Sequence, residues 1–224
     1  MIVHSLRVRA RSIRKRFHPQ GYKEFFIQAA LERSSANTYL EIGVRDGASF
    51  KTIQALTKIA VDPTRTPTMH HLSDNETFFE LTSDEFFKVK APDLLQDRPL
   101  GACLVDGLHT FEQSLDDVIN ASRWMASDGT IILDDCFPRT AERASLEPTG
   151  RAWNGDVWKT MALLRATQPQ WDVWTLDVDE GVGLVTGFQS PYQVISADQR
   201  AVFKSLSYQS LADDPGLIGL RARP

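Results

Sequence analysis

The chain has 224 residues, 42% hydrophobic and 24% charged, an ordinary globular composition with room for one large domain or two small ones. Its two cysteines argue against a disulfide framework, and no apolar run approaches the ~20 residues of a membrane-spanning helix. The net charge of −4 is uneven: Arg7, Arg9, Arg11, Arg14, Lys15 and Arg16 stand together without an acid, leaving the rest of the chain at about −10. That stretch reads as a solvated basic arm or first helix, with a membrane surface, a nucleic acid or an acidic partner as the alternatives. No nucleic-acid motif accompanies it, so no nucleic-acid partner is expected. The first 17 residues lack the apolar core of a signal peptide. A soluble protein of the reducing cytoplasm is expected, with Cys103 and Cys136 as small buried residues.

In chain order, "GYKEFFIQAALERS" (21–34) has the apolar spacing of an amphipathic helix. "TYLEIG" (38–43) is a strand, followed by the turn "VRDG" and a helix over "ASFKTIQALTKIA". Strands follow at 59–63, stopped by Pro63, and at 77–82. Ser83, Asp84 and Glu85 then read as the cap and acidic first turn of a short helix. "GACLVDG" (101–107) is the fourth strand. Thr110 and Gln113 fit a capping box, and Phe111, Leu115, Val118 and Ile119 give the next helix one apolar face. Gly129 suits a left-handed turn after that helix, and "TIILDD" (130–135), apolar on both faces, suits a central parallel strand. The loop 136–155 is long enough to carry function, and with Arg139 and Arg143 it is a candidate lid. A helix at 156–167 is expected to be capped by Asn154 or Asp156. "WDVWTLDVDEGVGLVTGF" (171–188) reads as a hairpin with a tight Asp-Glu-Gly turn, and a last helix lies near 197–212.

Strands alternating with helices from 38 to 135 imply a parallel sheet with helices on both faces, whose ligands bind outside the carboxyl ends of the strands. Glu41, Asp62, Asp106, Asp134 and Asp135 all fall on that rim. Gly43 and Gly47 let backbone approach a ligand, and Asp62 is placed to accept the hydroxyls of a ribose. Arg45 stands where a dinucleotide motif has its middle glycine. Glu41 would repel a pyrophosphate and welcome the sulfonium and ammonium of S-adenosylmethionine (SAM).

Together, "YLEIGVRDGAS", "AVDP", "ELTSDEFF", "LVDGLHTFEQSLDDV", "GTIILDDCFPRT" and "WNGDVWK" resemble the class I SAM-dependent methyltransferases, and within them a bacterial small-molecule branch with a D-G-x-H motif after the fourth strand. The resemblance runs from about residue 36 to 188. It implies a Rossmann-like α/β fold with a mostly parallel seven-stranded sheet and an antiparallel edge hairpin. The methyltransferase domain would span 36–190, between a basic segment with its helix (1–35) and a C-terminal helix and tail (191–224). It also implies that Glu41 and the Gly43 backbone lie by the methionine part of SAM, Asp62 by the ribose, and Ser83 and Asp84 by the adenine, with Arg45, Gly47 and Asp106 among the cofactor-binding residues, although Arg45 departs from the family's glycine pattern.

Methyl transfer to a hydroxyl needs a base, or a cation that acidifies the hydroxyl. Asp106, Asp134 and Asp135 offer oxygen ligands suited to Mg²⁺, Ca²⁺ or Mn²⁺. They match the metal positions of catechol-type and macrolide-sugar O-methyltransferases, which the chain resembles here. His109 matches the base that such families carry three residues after the first acid. Other readings remain open. Asp106 could cap the helix near Thr110, His109 could be a loop residue or a partner of Asp134, and Asp135 could bind backbone amides. Trp153 and Trp158 are candidate walls of an acceptor pocket, with core packing the alternative for Trp158. The expected function is O-methylation of a small sugar or natural-product molecule. The alternatives are a SAM-binding protein without chemistry, or an NAD-linked or hydroxylase-like enzyme. The terminal helix and tail are candidate contacts of a homo-oligomer.

Overall fold

The computed structural model describes residues 22–148 and 153–222. The basic stretch 7–16 lies outside the described residues. Helix α1 (Tyr22–Arg33) leads into an open sheet made of β1 (Thr38–Ile42), β2 (Thr57–Asp62), β3 (Glu76–Glu80), β4 (Leu100–Val105), β5 (Met125–Leu133), β6 (Asp172–Leu176), β7 (Val182–Thr186) and β8 (Leu220–Arg221). The order is β3-β2-β1-β4-β5-β7-β6-β8. The first five strands are parallel, and β7 runs antiparallel to both β5 and β6. The expected hairpin is therefore present, and the two-residue β8 adds an eighth strand outside it. The strand order reverses between β1 and β4, where a sheet of this kind forms its ligand crevice.

The period of two along the central strands sorts side chains to two cores. Leu40, Ile42, Cys103, Val105, Ile131 and Leu133 meet α4 (Phe111–Ser122) and α5 (Trp158–Thr167) on one face. Tyr39, Ala102, Leu104 and Ile132 meet Ile27 and Leu31 of α1 on the other. Both cysteines are fully buried and unpaired, as expected.

Several local expectations fail for identifiable reasons. The helix expected from Ala48 is a single 3-10 turn, Phe50–Thr52. With β2 starting at Thr57, nine residues must retrace a strand about 16 Å long, whereas an α-helix would need about eleven. Thr82, not Ser83, caps α2 (Ser83–Val89), in a capping box with Glu85; α3 (Ala91–Leu95) follows directly. Thr110 has the extended backbone of a cap, but its side chain makes no cap bond. Asp156 takes over instead, its Oδ1 accepting from the Phe111 N–H at 2.6 Å. Because Asp156 is spent there, α5 starts at Trp158 without a side-chain cap. Gly129 lies inside β5 and has no positive φ; a Cβ there would stand 2.7 Å from the Leu100 carbonyl oxygen, at the register shift between β4 and β5. The C-terminal helix divides into α6 (Ala197–Lys204) and α7 (Tyr208–Asp213).

Candidate active site

The rim is assembled by backbone. Gly43 leaves β1 with φ 82°, and a Cβ there would lie 2.1 Å from the Asp106 carbonyl oxygen. Only glycine allows the ends of β1 and β4 to touch in this way. The Asp106 N–H donates to the Ile42 carbonyl and the Asp134 N–H to that of Val105, so both acids continue the sheet just past their strands.

Between these two carboxylates stands a lysine. Lys23, in the first turn of α1, donates to Asp106 Oδ2 and to Asp134 Oδ2 at 2.6 Å each. Burial alone would discharge it, but the two carboxylates outweigh burial and raise its pKa above the ordinary lysine range. Asp135 turns away from Asp134 with φ 60°. Its Oδ1 accepts from Asn154 Nδ2 at 2.6 Å, and its Oδ2 lies 3.3 Å from His109 Nδ1. His109 Nε2 lies 3.6 Å from Asp106 Oδ1. The imidazole stacks on Trp153 at 5.1 Å, and Nδ1 is 3.0 Å from the Trp153 carbonyl oxygen. That carbonyl can only accept, so Nδ1 carries a hydrogen and Nε2, on the Asp106 side, is the exchanging nitrogen.

Burial works against charge throughout this cluster, and the neighbours decide each outcome. His109 is pushed down by burial, yet Asp106, Asp135 and the Trp153 carbonyl together raise it to about 9. Asp135 is raised to about 7, by burial and then by Asp134. Asp134 is also raised, chiefly by burial, whereas His109 and Lys23 overcome burial at Asp106 and hold it below its usual value.

The three expected metal ligands thus divide between two cations: Asp106 and Asp134 share Lys23, and Asp106 and Asp135 flank His109. Asp106, His109 and Asp135 offer ligand atoms within 4.8 Å of one another. A divalent ion held by Asp106, Asp134 and Asp135 would need the position that the Lys23 ammonium takes. As arranged, Asp106 and Asp134 are paired to the ammonium, while Asp135 faces His109.

The other expected residues fall nearby. Glu41 is buried, with Oε2 accepting from Tyr39 Oη at 2.5 Å and Oε1 from Ser49 Oγ at 2.6 Å; burial pushes it up to about 7. Arg45 adopts φ 52°, the left-handed conformation for which a glycine is usual, and its N–H donates to Asp62 Oδ2 at 2.8 Å. Asp62 Oδ1 accepts from the Thr64 N–H, so the carboxylate is held by backbone at the exit of β2. Gly47, with φ 78°, passes against Met69. Ser83 and Asp84 form a separate group around Gln113 Nε2, at 3.2 and 3.3 Å, together with Asp117.

In the loop after β5, Arg139 pairs with Asp177 and Arg143 with both oxygens of Glu180, so both arginines tie the loop to the β6–β7 turn. Trp158 is core, while Trp153 stacks on His109. The residue that sequence reading missed is Lys23. The clustered acids signalled that a cation was needed, but its source lies 83 and 111 positions away.

Residues 40–136 match a family model described as a methyltransferase domain, from β1 to just beyond the Asp134–Asp135 pair. Solved structures share the fold. The S-adenosylhomocysteine-bound methyltransferase PaMTH1 of Podospora anserina is 17% identical with a TM-score of 0.51, over 74% of this chain and 76% of that one. A candidate caffeoyl-CoA O-methyltransferase of Staphylococcus aureus is 16% identical with a TM-score of 0.52, over 82% and 90%. The methyltransferase MycE of the mycinamycin biosynthetic pathway, solved with Mg and S-adenosylhomocysteine, is 14% identical with a TM-score of 0.53, over 76% of this chain and 51% of MycE. No curated protein matches the sequence. Sheet order, crevice and these neighbours give the chain the Rossmann-like fold of class I methyltransferases, and its residues 40–136 carry the match to a methyltransferase domain. Among the described residues no helix is long and apolar enough to cross a membrane.

Proposed function

We propose that the protein transfers the methyl group of SAM to a hydroxyl oxygen of a small molecule of sugar or natural-product type, with His109 taking the hydroxyl proton. The observation that carries this reading is His109 itself, clamped between Asp106 and Asp135 and against the Trp153 ring, with Nε2 left to exchange. A methyltransferase that only binds its cofactor has no need of such a clamp. The caffeoyl-CoA O-methyltransferase candidate and the mycinamycin-pathway methyltransferase among the structural neighbours support the choice of oxygen and of a small acceptor.

The residues present suit SAM as cofactor. Asp62 lies at the exit of β2, fixed by two backbone N–H groups and still carrying free lone pairs for a ribose. In this cluster three carboxylates stand against two cations, Lys23 and protonated His109, so no excess positive charge opposes a sulfonium. SAM supplies an electrophilic methyl group; the chain supplies alignment, exclusion of water and a proton acceptor. At rest His109 holds its proton; a further positive charge in the same pocket lowers its pKa, and Nε2 gives that proton to solvent before the acceptor hydroxyl takes its place. Nε2 then accepts the hydroxyl proton while Asp106 and Asp135 stabilise the imidazolium. Asn154, fully buried, holds Asp135 in place through its Nδ2. In this reading residues 36–190 are the methyltransferase domain, α1 closes one side of its rim, and Leu220–Arg221 extend the sheet edge.

The test is release of S-adenosylhomocysteine with a panel of glycosides and phenols. His109→Ala is expected to lose about 10²–10⁴ in turnover while still binding SAM. Full turnover by His109→Ala would remove the base from the reading.

A further inference from the structure

We propose that Lys23 is the resident cation of this site, a positioning residue carried in by α1 to the place between two strand-end carboxylates where a divalent ion would otherwise lie. The proposal uses the O-methyltransferase reading only for its catalytic consequence, metal-independent turnover; its structural content stands on geometry.

Three observations carry it. First, the ammonium makes equal 2.6 Å contacts with Asp106 Oδ2 and Asp134 Oδ2, the bridging geometry expected of a cation shared by two acids. Second, the lysine is not a free surface side chain. Its helix is seated by buried Ile27, Ala30 and Leu31. At its amino end the Tyr22 N–H donates to Asp179 Oδ2, and beyond its carboxyl end Ser34 Oγ and the Ser35 N–H donate to Asp128. Third, the third acid does not complete a ligand shell with the other two. Asp135 is turned by its positive φ toward His109 and Asn154. A divalent ion held by all three acids would have to expel a lysine paired to two half-buried carboxylates and also redirect Asp135. With Lys23 in place, Asp106 and Asp134 keep their charges and fixed directions, and Asp106 is thereby held against His109 Nε2.

The experiment is a Mn²⁺ titration of the full chain followed by electron paramagnetic resonance, which reads bound metal without turnover. Wild type is expected to show no Mn²⁺ binding that depends on Asp134, and its methyl transfer to survive a chelator. Lys23→Met, which keeps the apolar stem and removes the ammonium, is expected to bind Mn²⁺ about tenfold tighter than wild type or more. Adding Asp134→Asn should abolish that gain, and Lys23→Arg, which keeps the charge, should not show it. Wild type binding Mn²⁺ as tightly as Lys23→Met, with affinity lost on Asp134→Asn, would overturn the proposal. So would loss of wild-type turnover to a chelator with recovery on added metal. If Lys23→Met fails to fold, the wild-type titration with and without Asp134→Asn still decides. A protein that binds SAM but methylates no hydroxyl refutes the functional reading and leaves the Mn²⁺ result standing.

Discussion

Gly155 is the position at which a single added carbon should disturb the His109 site most. It adopts φ 62°, and a Cβ there would lie 1.7 Å from the His109 carbonyl oxygen. In Gly155→Ala the left-handed backbone alone costs about 1–2 kcal/mol. Relieving the contact to an ordinary carbon separation of about 3.5 Å requires one of the two backbones to move by roughly 1.5–2 Å. The neighbouring Asp156 holds both the Phe111 N–H and, through its own N–H, the His109 carbonyl, so the movement also strains the trans cap of α4, worth about 1 kcal/mol. The expected destabilisation is therefore about 2–4 kcal/mol, read from urea unfolding by circular dichroism. Because the moving segment carries His109, methyl transfer should fall about 10²-fold even where the variant is fully folded. A variant within about 0.5 kcal/mol of wild type, with unchanged turnover, would refute this account of how the loop positions the base.

Two further predictions concern protons. The imidazole of His109 should titrate by NMR near 9, well above its ordinary 6.5. Its pairing with ionised Asp106 then stabilises the fold fully below about 6.5, and that contribution is lost as pH rises through about 9. His109→Gln should remove that slope, and a midpoint at or below 6.5 would contradict the clamp. Glu41 has the opposite consequence. Burial raises its folded pKa from 4.5 to about 7, so its ionisation costs stability as pH rises between those values. Glu41→Gln should therefore gain on wild type by about 1–3 kcal/mol in unfolding free energy from pH 4.5 to pH 7, and a constant difference between the two would refute the assignment.

The fold was largely legible because the central strands are apolar on both faces and end in Asp or Gly, which sets the period and the rim without tertiary information. The gathering of Asp106, His109, Asp134 and Asp135 was legible for the same reason: adjacent parallel strands bring their ends together in register. What stayed hidden depended on partners distant in sequence. Thr110 and Gln113 have the spacing of a capping box, but Asp156 reaches the Phe111 N–H first, and Gln113 is drawn to Ser83, Asp84 and Asp117. Gly129 looked like a helix end because the close passage of Leu100 cannot be seen along the chain. Lys23 carried no local signal at all, since an early lysine on an amphipathic helix is usually solvated. Only the docking of α1 across the sheet turns it toward the acids.

The most direct test of the whole account is calorimetric titration of SAM into wild type and Asp62→Ala. The account predicts a single SAM site per chain, shared with S-adenosylhomocysteine and not with NAD. Asp62→Ala should weaken it about tenfold or more, through loss of hydrogen bonds to a charged acceptor. Absence of SAM binding, or SAM affinity untouched by Asp62→Ala, would contradict the placement of the cofactor on this rim.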